Sequence, residues 1–122
     1  MLTSEDKKYI LSEFLRKISH LSDEGYQRRV WVQGKGPEVN DFDEAVCHFF
    51  DDGDPILKNH KDYGMTNNQY HLLIKFRDIF DAFVDGPRPY LPQDFIDTPE
   101  WSRIMNMAEE VLKAFNYQKN IG

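Results

Sequence analysis

The stretch Glu38–Asp54, EVNDFDEAVCHFFDDGD, predicts an amphipathic helix. Its apolar residues recur at i, i+3, i+4, i+7 and i+8, which is the spacing of one face of an α-helix. These residues are Phe42, Ala45, Val46, Phe49 and Phe50. Asn40 is placed to cap this helix, and Gly53 is placed to end it. We expect the aromatic face to lie in a core and the opposite face to meet water or a partner.

The same stretch concentrates the negative charge of the chain. It holds seven of the 21 acids and none of the 15 Lys and Arg residues, so the net charge of -6 is local to it. Glu44, His48 and Asp51 share the face opposite the aromatic residues, with Asp52 beside them. Asp51, Asp52 and Asp54 fall at the predicted C-terminal end, where the helix dipole opposes a carboxylate by about 0.3 to 1 kcal/mol. This position makes them candidates for binding, and a solvated helix end that favours solubility is the alternative.

Helical patterns also cover most of the remaining chain. Residues 4–21 follow a possible cap at Ser4, and a second helix begins at Thr66, where Gln69 completes a capping box. A last helix begins at Thr98, with Pro99 in the first position that proline prefers.

Two segments between these helices are less regular. Residues 23–33 read as a helix or a strand, and we favour a helix because no second strand is present to pair with them. Arg28 and Arg29 in this segment are expected to pair with acids of the chain itself. Residues 87–97 carry three prolines and are expected to run extended, with Arg88 and Tyr90 exposed. The predicted fold is all-α, a single compact domain of four to five helices with a proline-rich crossover, over residues 1–122.

Length and composition bound the class of protein. A chain of 122 residues is long enough to bury an ordinary core. The single Cys47 excludes an internal disulfide and, beside the predicted core face, is expected to be buried or half-buried. The charged start and the lack of a long apolar run predict a soluble, cytoplasmic protein without a signal peptide or membrane span. The acidic balance argues against direct binding of nucleic acid.

Catalytic motifs are missing from the sequence, and we do not expect an enzyme or a cofactor. Cys47 and His48 are adjacent, and adjacent helical side chains do not face each other. Glu44 and His48 lie at i and i+4 and are candidates for a metal site, but no second helix offers a matching pair of ligands.

In size, in acidity and in the stretch DFDEAVCHFFDDGD, the chain resembles the bacterial immunity proteins of contact-dependent growth inhibition and related polymorphic toxin systems. The resemblance implies a protein that neutralises a basic toxin domain, with a nuclease as the first candidate. An acidic patch can occupy the cationic cleft of such an enzyme. The expected binding surface comprises Glu44, His48, Asp51, Asp52, Asp54 and an exposed Tyr63.

Two readings from other classes stay open. One is a helical adaptor or regulatory protein from a mobile element that binds through apolar residues, and its binding would be almost insensitive to salt. The other is a small metal-dependent enzyme that uses Glu44 and His48.

Overall fold

The computed structural model describes residues 2–36 and 41–117 and confirms the all-α prediction. Over these residues it is compact, 74% helical and without strands, and five of its six helices have seven or more residues. The helical elements are α1 (Ser4–Leu21), α2 (Glu24–Tyr26) with a continuous π-helical segment (Gln27–Val32), α3 (Phe42–Lys58), α4 (Asn67–Asp85), α5 (Pro92–Phe95) and α6 (Pro99–Ala114).

Side-chain caps start the long helices. The hydroxyls of Thr66 and Thr98 accept from the backbone N–H three residues on, as predicted, and Gln69 completes the capping box of α4. The cap of α1 is Thr3 instead of the predicted Ser4. The cap of α3 is Asp41, which accepts from the N–H of Glu44 at 2.8 Å, and the predicted cap Asn40 lies outside the described residues.

Helix α3 runs past Gly53, so the prediction that the helix ends there was wrong. Gly53 is buried, and a Cβ added to it would lie 2.8 Å from the ring of Phe14 in α1. The glycine therefore allows two helices to approach closely instead of ending one of them. Pro55 lies inside the helix, which ends at Lys58.

Trp101 of α6 lies at the centre of an aromatic core. It is fully buried, and five rings surround it at centroid distances between 5.0 and 6.4 Å. These rings are Trp31, Phe42, Phe80, Phe83 and Phe95. They come from the π-helical segment, α3, α4 and α5, so one side chain joins most of the helices. Aromatic pairs of this kind contribute about 0.5 to 1.5 kcal/mol each beyond their buried area.

The ambiguous segment 23–33 is helical, as we favoured. Asp23 caps it, and Gly34 follows it with φ +65°, the left-handed conformation that glycine adopts readily. Gln27 is fully buried where the helix changes to π geometry. Its amide accepts from Trp101 Nε1 at 2.9 Å and donates to the carbonyl of His20 at 3.0 Å. This side chain therefore connects the segment to α1 and α6.

The proline-rich crossover between α4 and α6 is only partly extended. Residues 86–91 are non-helical, and the short helix α5 then begins at Pro92 and buries Phe95. We call residues 86–91 the connector.

Candidate functional site

Three of the predicted site residues form one exposed row on α3. Glu44, His48 and Asp51 are all exposed, and their spacing of i, i+4 and i+7 places them on one face of the helix. No ion pair involves any of the three within residues 2–36 and 41–117. We call these residues the acidic row. Its two carboxylates are available to a partner.

Two other predicted site residues connect α3 to its neighbours. Asp52 pairs with Lys17 of α1. Asp54 accepts from Arg77 of α4 at two points, from Nε at 2.8 Å and from Nη2 at 3.3 Å. The hydrogen bond with Asp54 raises the pKa of Arg77 above its usual range. Asp52 and Asp54 therefore hold helices together as well as adding charge.

The helix dipole does not distinguish these carboxylates as the sequence suggested. Because α3 continues to Lys58, Asp51 and Asp52 lie in the body of the helix and the last turn begins beyond them. The dipole acts mainly within the terminal turns. Asp51 is distinguished by its exposure and by the lack of an ion pair among the described residues, and not by its position in the helix.

The prediction that Tyr63 is exposed was wrong. Tyr63 is half-buried and packs against the hydrophobic core. The exposed aromatic side chain near α3 is Tyr90 of the connector, which is 71% exposed and whose hydroxyl donates to Asp43 Oδ2 at 3.5 Å. Leu91 beside it is also exposed. The three prolines indicated that Tyr90 would be exposed, but no sequence signal placed it against α3.

Arg88 anchors the connector and is less exposed than expected. Its guanidinium lies over the rings of Phe42, Phe83 and Phe95, at 5.1, 5.4 and 5.5 Å from their centroids. Nη1 also donates to the carbonyl of Tyr90 at 3.2 Å. A cation held by three rings and a carbonyl fixes the backbone from which Tyr90 projects.

The carboxylates of α4 adjoin those of α3 through Arg77. Asp78 Oδ1 lies 3.8 Å from Arg77 Nη1, and Asp81 is near enough to contribute to the raised pKa of Arg77. Asp54 bonds to the same guanidinium. Arg77 therefore lies between carboxylates of α3 and of α4 and offsets part of their charge.

The expected internal pairing of the 23–33 arginines holds for Arg28. Its guanidinium donates to Glu24 Oε2 at 2.9 Å and to Asp97 Oδ1 at 2.6 Å. Arg29 lies 5.8 Å from the ring centroid of Tyr26 and donates to the carbonyl of Lys35 at 3.2 Å.

The residues considered for metal binding or catalysis do not converge. In the part of the chain that the structure describes, no three His, Cys, Asp or Glu side chains are grouped as metal ligands would be. Cys47 is exposed on α3, contrary to the expectation of a buried or half-buried thiol. Position 47 falls at the border of the aromatic face, where sequence spacing alone does not decide burial.

No helix among the described residues is long and apolar enough to cross a membrane.

Comparisons with known proteins returned no matching family model, curated protein or solved structure.

Proposed function

We propose that this chain is a non-enzymatic immunity protein of the cytoplasm that binds and neutralises a basic toxin domain, with a nuclease domain as the first candidate. The observation that carries the proposal is the acidic row on α3. Glu44 and Asp51 are exposed and form no ion pair among the described residues, while Asp52 and Asp54 of the same helix are bound to Lys17 and Arg77.

Electrostatics supports a basic partner. The chain has a net charge of -6, and a third of its acids lie in Glu38–Asp54, which covers most of α3. Concentrated charge of one sign accelerates the encounter with a partner of opposite charge, and the acceleration falls as salt screens the charges. A cationic cleft that normally binds phosphates would meet this surface favourably.

The exposed apolar side chains of the connector provide the second part of the surface. Tyr90 is 71% and Leu91 45% exposed, and Tyr90 reaches Asp43 at the start of α3. Tyrosine is enriched among the residues that dominate binding energy, because it buries a large area with little loss of entropy. We infer that Tyr90, and not the half-buried Tyr63, is the aromatic anchor of this surface.

The proposal is tested by capturing partners from the native cells on the immobilised protein at low salt and releasing them with a salt gradient. The released protein is then assayed for cleavage of DNA and RNA, with and without added wild-type chain. We expect a basic protein whose activity is blocked at a one-to-one ratio. An activity that the chain leaves unchanged would refute neutralisation.

Two variants locate the surface in the same assay. Asp51→Lys reverses a charge in the acidic row, and we expect it to reduce capture at low salt. Glu110→Lys makes the same change at an exposed position on α6 and serves as the matched control. If both variants capture equally less partner than the wild type, net charge alone explains the effect of Asp51→Lys.

Exposed Tyr90 and Leu91 favour a second candidate, a helical adaptor that binds through apolar contacts. The salt gradient separates the two functions. A partner that stays bound to high salt and tolerates Asp51→Lys would support the adaptor.

A further inference from the structure

A cavity opens beside the connector, and no residue of the acidic row lines it. It lies between the last turns of α4, the connector and the start of α6, and its volume is about 430 Å³. Ile79, Phe83 and Ile104 supply apolar wall, together with Pro87 and Pro89. This volume is within the range of roughly 300 to 1,000 Å³ typical of sites for small molecules.

Two arginines line this cavity. Arg88 and Arg103 form no ion pair within the described ranges 2–36 and 41–117, whereas Arg16, Arg28 and Arg77 each pair with at least one acid. The meeting of Arg88 and Arg103 at one cavity indicates complementarity to an anion.

Arg88 is immobilised before any ligand arrives. Three phenylalanine rings hold its guanidinium, and Nη1 donates to the carbonyl of Pro89 at 3.0 Å as well as to that of Tyr90. Its Nε is buried and has no acceptor among the described residues. A cation that is already ordered loses little conformational entropy on binding, which favours affinity.

The other polar groups at the cavity indicate an anion of single charge. Glu100 also lines it, and its carboxylate offsets one of the two arginines. Thr98 caps α6 at the cavity, and the N-terminal end of this 16-residue helix adds a partial positive charge. The charged groups at the cavity therefore sum to about one positive charge, and they lie beside an apolar wall.

We propose that this cavity binds a small amphipathic carboxylate. Its apolar part lies against Ile79, Phe83 and Ile104, and its carboxylate faces Arg88 and Arg103. No residue of the acidic row lines the cavity, and the titration below uses the isolated chain, so its result does not depend on the proposed toxin partner.

The test is an NMR titration of ¹⁵N-labelled protein with 2-naphthoate, compared with uncharged 2-naphthamide. We expect saturable amide shifts confined to residues 79–89 and 98–104. Because hydrogen bonds to charged groups are lost, binding of the amide should be about tenfold weaker. Equal binding of both compounds, shifts elsewhere, or no saturation would overturn the proposal.

Variants test the same site. Arg103→Gln should weaken the binding of 2-naphthoate about tenfold. Arg16→Gln, which removes an arginine of α1, should leave the affinity for 2-naphthoate unchanged. Ala82→Trp should abolish binding, since the exposed Ala82 lines the cavity and a large side chain there fills it without entering the core. Wild-type affinity in Arg103→Gln or Ala82→Trp would contradict the assignment.

Discussion

Gly53 of α3 lies directly against the ring of Phe14 in α1, so closely that a Cβ at position 53 would be 2.8 Å from Cζ and 2.9 Å from Cε1. Phe14 is itself fully buried and stacks on Phe49 at a centroid distance of 5.3 Å. The contact therefore sets how closely α1 and α3 pack. It also places Lys17 within reach of Asp52 on the same pair of helices.

Gly53→Ala should destabilise the fold by about 1 to 2 kcal/mol. Overpacking of a core costs about 1 to 3 kcal/mol, and the better helix propensity of alanine returns about 0.5 to 1 kcal/mol. Urea unfolding followed by circular dichroism measures the change. In the control Phe14→Leu/Gly53→Ala, the smaller side chain makes room for the Cβ, so the two costs should be less than additive. Full additivity would contradict the steric account.

Gln27→Leu should cost about 1 to 3 kcal/mol of folding stability. The substitution leaves Trp101 Nε1 without its acceptor in the core, and an unsatisfied buried group costs about 1 to 3 kcal/mol. The carbonyl of His20 loses the amide of Gln27 but still accepts from the N–H of Asp23 at 3.3 Å. Thermal and urea unfolding measure the loss. Adding Trp101→Phe to Gln27→Leu removes the stranded N–H, so this second change should cost less than it does in the wild-type background. The same cost in both backgrounds would show that the hydrogen bond does not matter.

The parts of the fold that depend on local chemistry could be predicted from the sequence. Threonines at positions 66 and 98 cap their helices because the hydroxyl, the following residues and the apolar period all agree. Asp41 also caps a helix, but Asn40 offers the same chemistry one residue earlier, and local rules do not choose between them.

The parts that depend on distant residues could not be predicted. A glycine near the end of an apolar period usually marks a helix end, and only the distant Phe14 reveals that Gly53 is needed for close packing. Only part of the candidate site could be predicted from the sequence, for the same reason. The row of Glu44 and Asp51 follows from helical spacing, whereas the engagement of Asp54 by Arg77 and the nearness of Tyr90 to α3 depend on tertiary packing.

Asp54→Asn should cost about 0.2 to 1 kcal/mol, and Asp51→Asn about zero. Asp54 makes a two-point contact with Arg77, but its side chain is 51% exposed, which limits the worth of the ion pair. Asp51 has no ion pair among the described residues and sits beside other carboxylates of α3. Urea unfolding midpoints should be lower for Asp54→Asn than for Asp51→Asn, and this difference between the two variants should shrink at high salt. A larger cost for Asp51→Asn would give that residue a structural role.

Glu13 should contribute to stability at neutral pH and lose that contribution in acid. A hydrogen bond from Arg16 is the main cause that lowers the pKa of Glu13 in the folded chain. Because the folded pKa lies below the unfolded value of about 4.3, the contribution is present above that value and disappears as the pH falls through the folded pKa. The stability difference between wild type and Glu13→Gln should therefore narrow from pH 7 toward about pH 3. In the Arg16→Gln background, Glu13→Gln should change the stability only slightly at both pH values. A stability difference between wild type and Glu13→Gln that widens in acid would contradict the assignment.

Tyr90→Ser and Asp51→Lys should weaken binding of the toxin partner in kinetically different ways. Charge steers the encounter, so Asp51→Lys should lower the association rate and flatten its dependence on salt. Tyr90 offers apolar area that is buried only after docking, so Tyr90→Ser should mainly raise the dissociation rate. Tyr9 is 68% exposed on α1, and Tyr9→Ser serves as the matched control with both rates unchanged. Surface plasmon resonance with the captured partner measures these rates, and a wild-type dissociation rate for Tyr90→Ser would place the apolar anchor elsewhere.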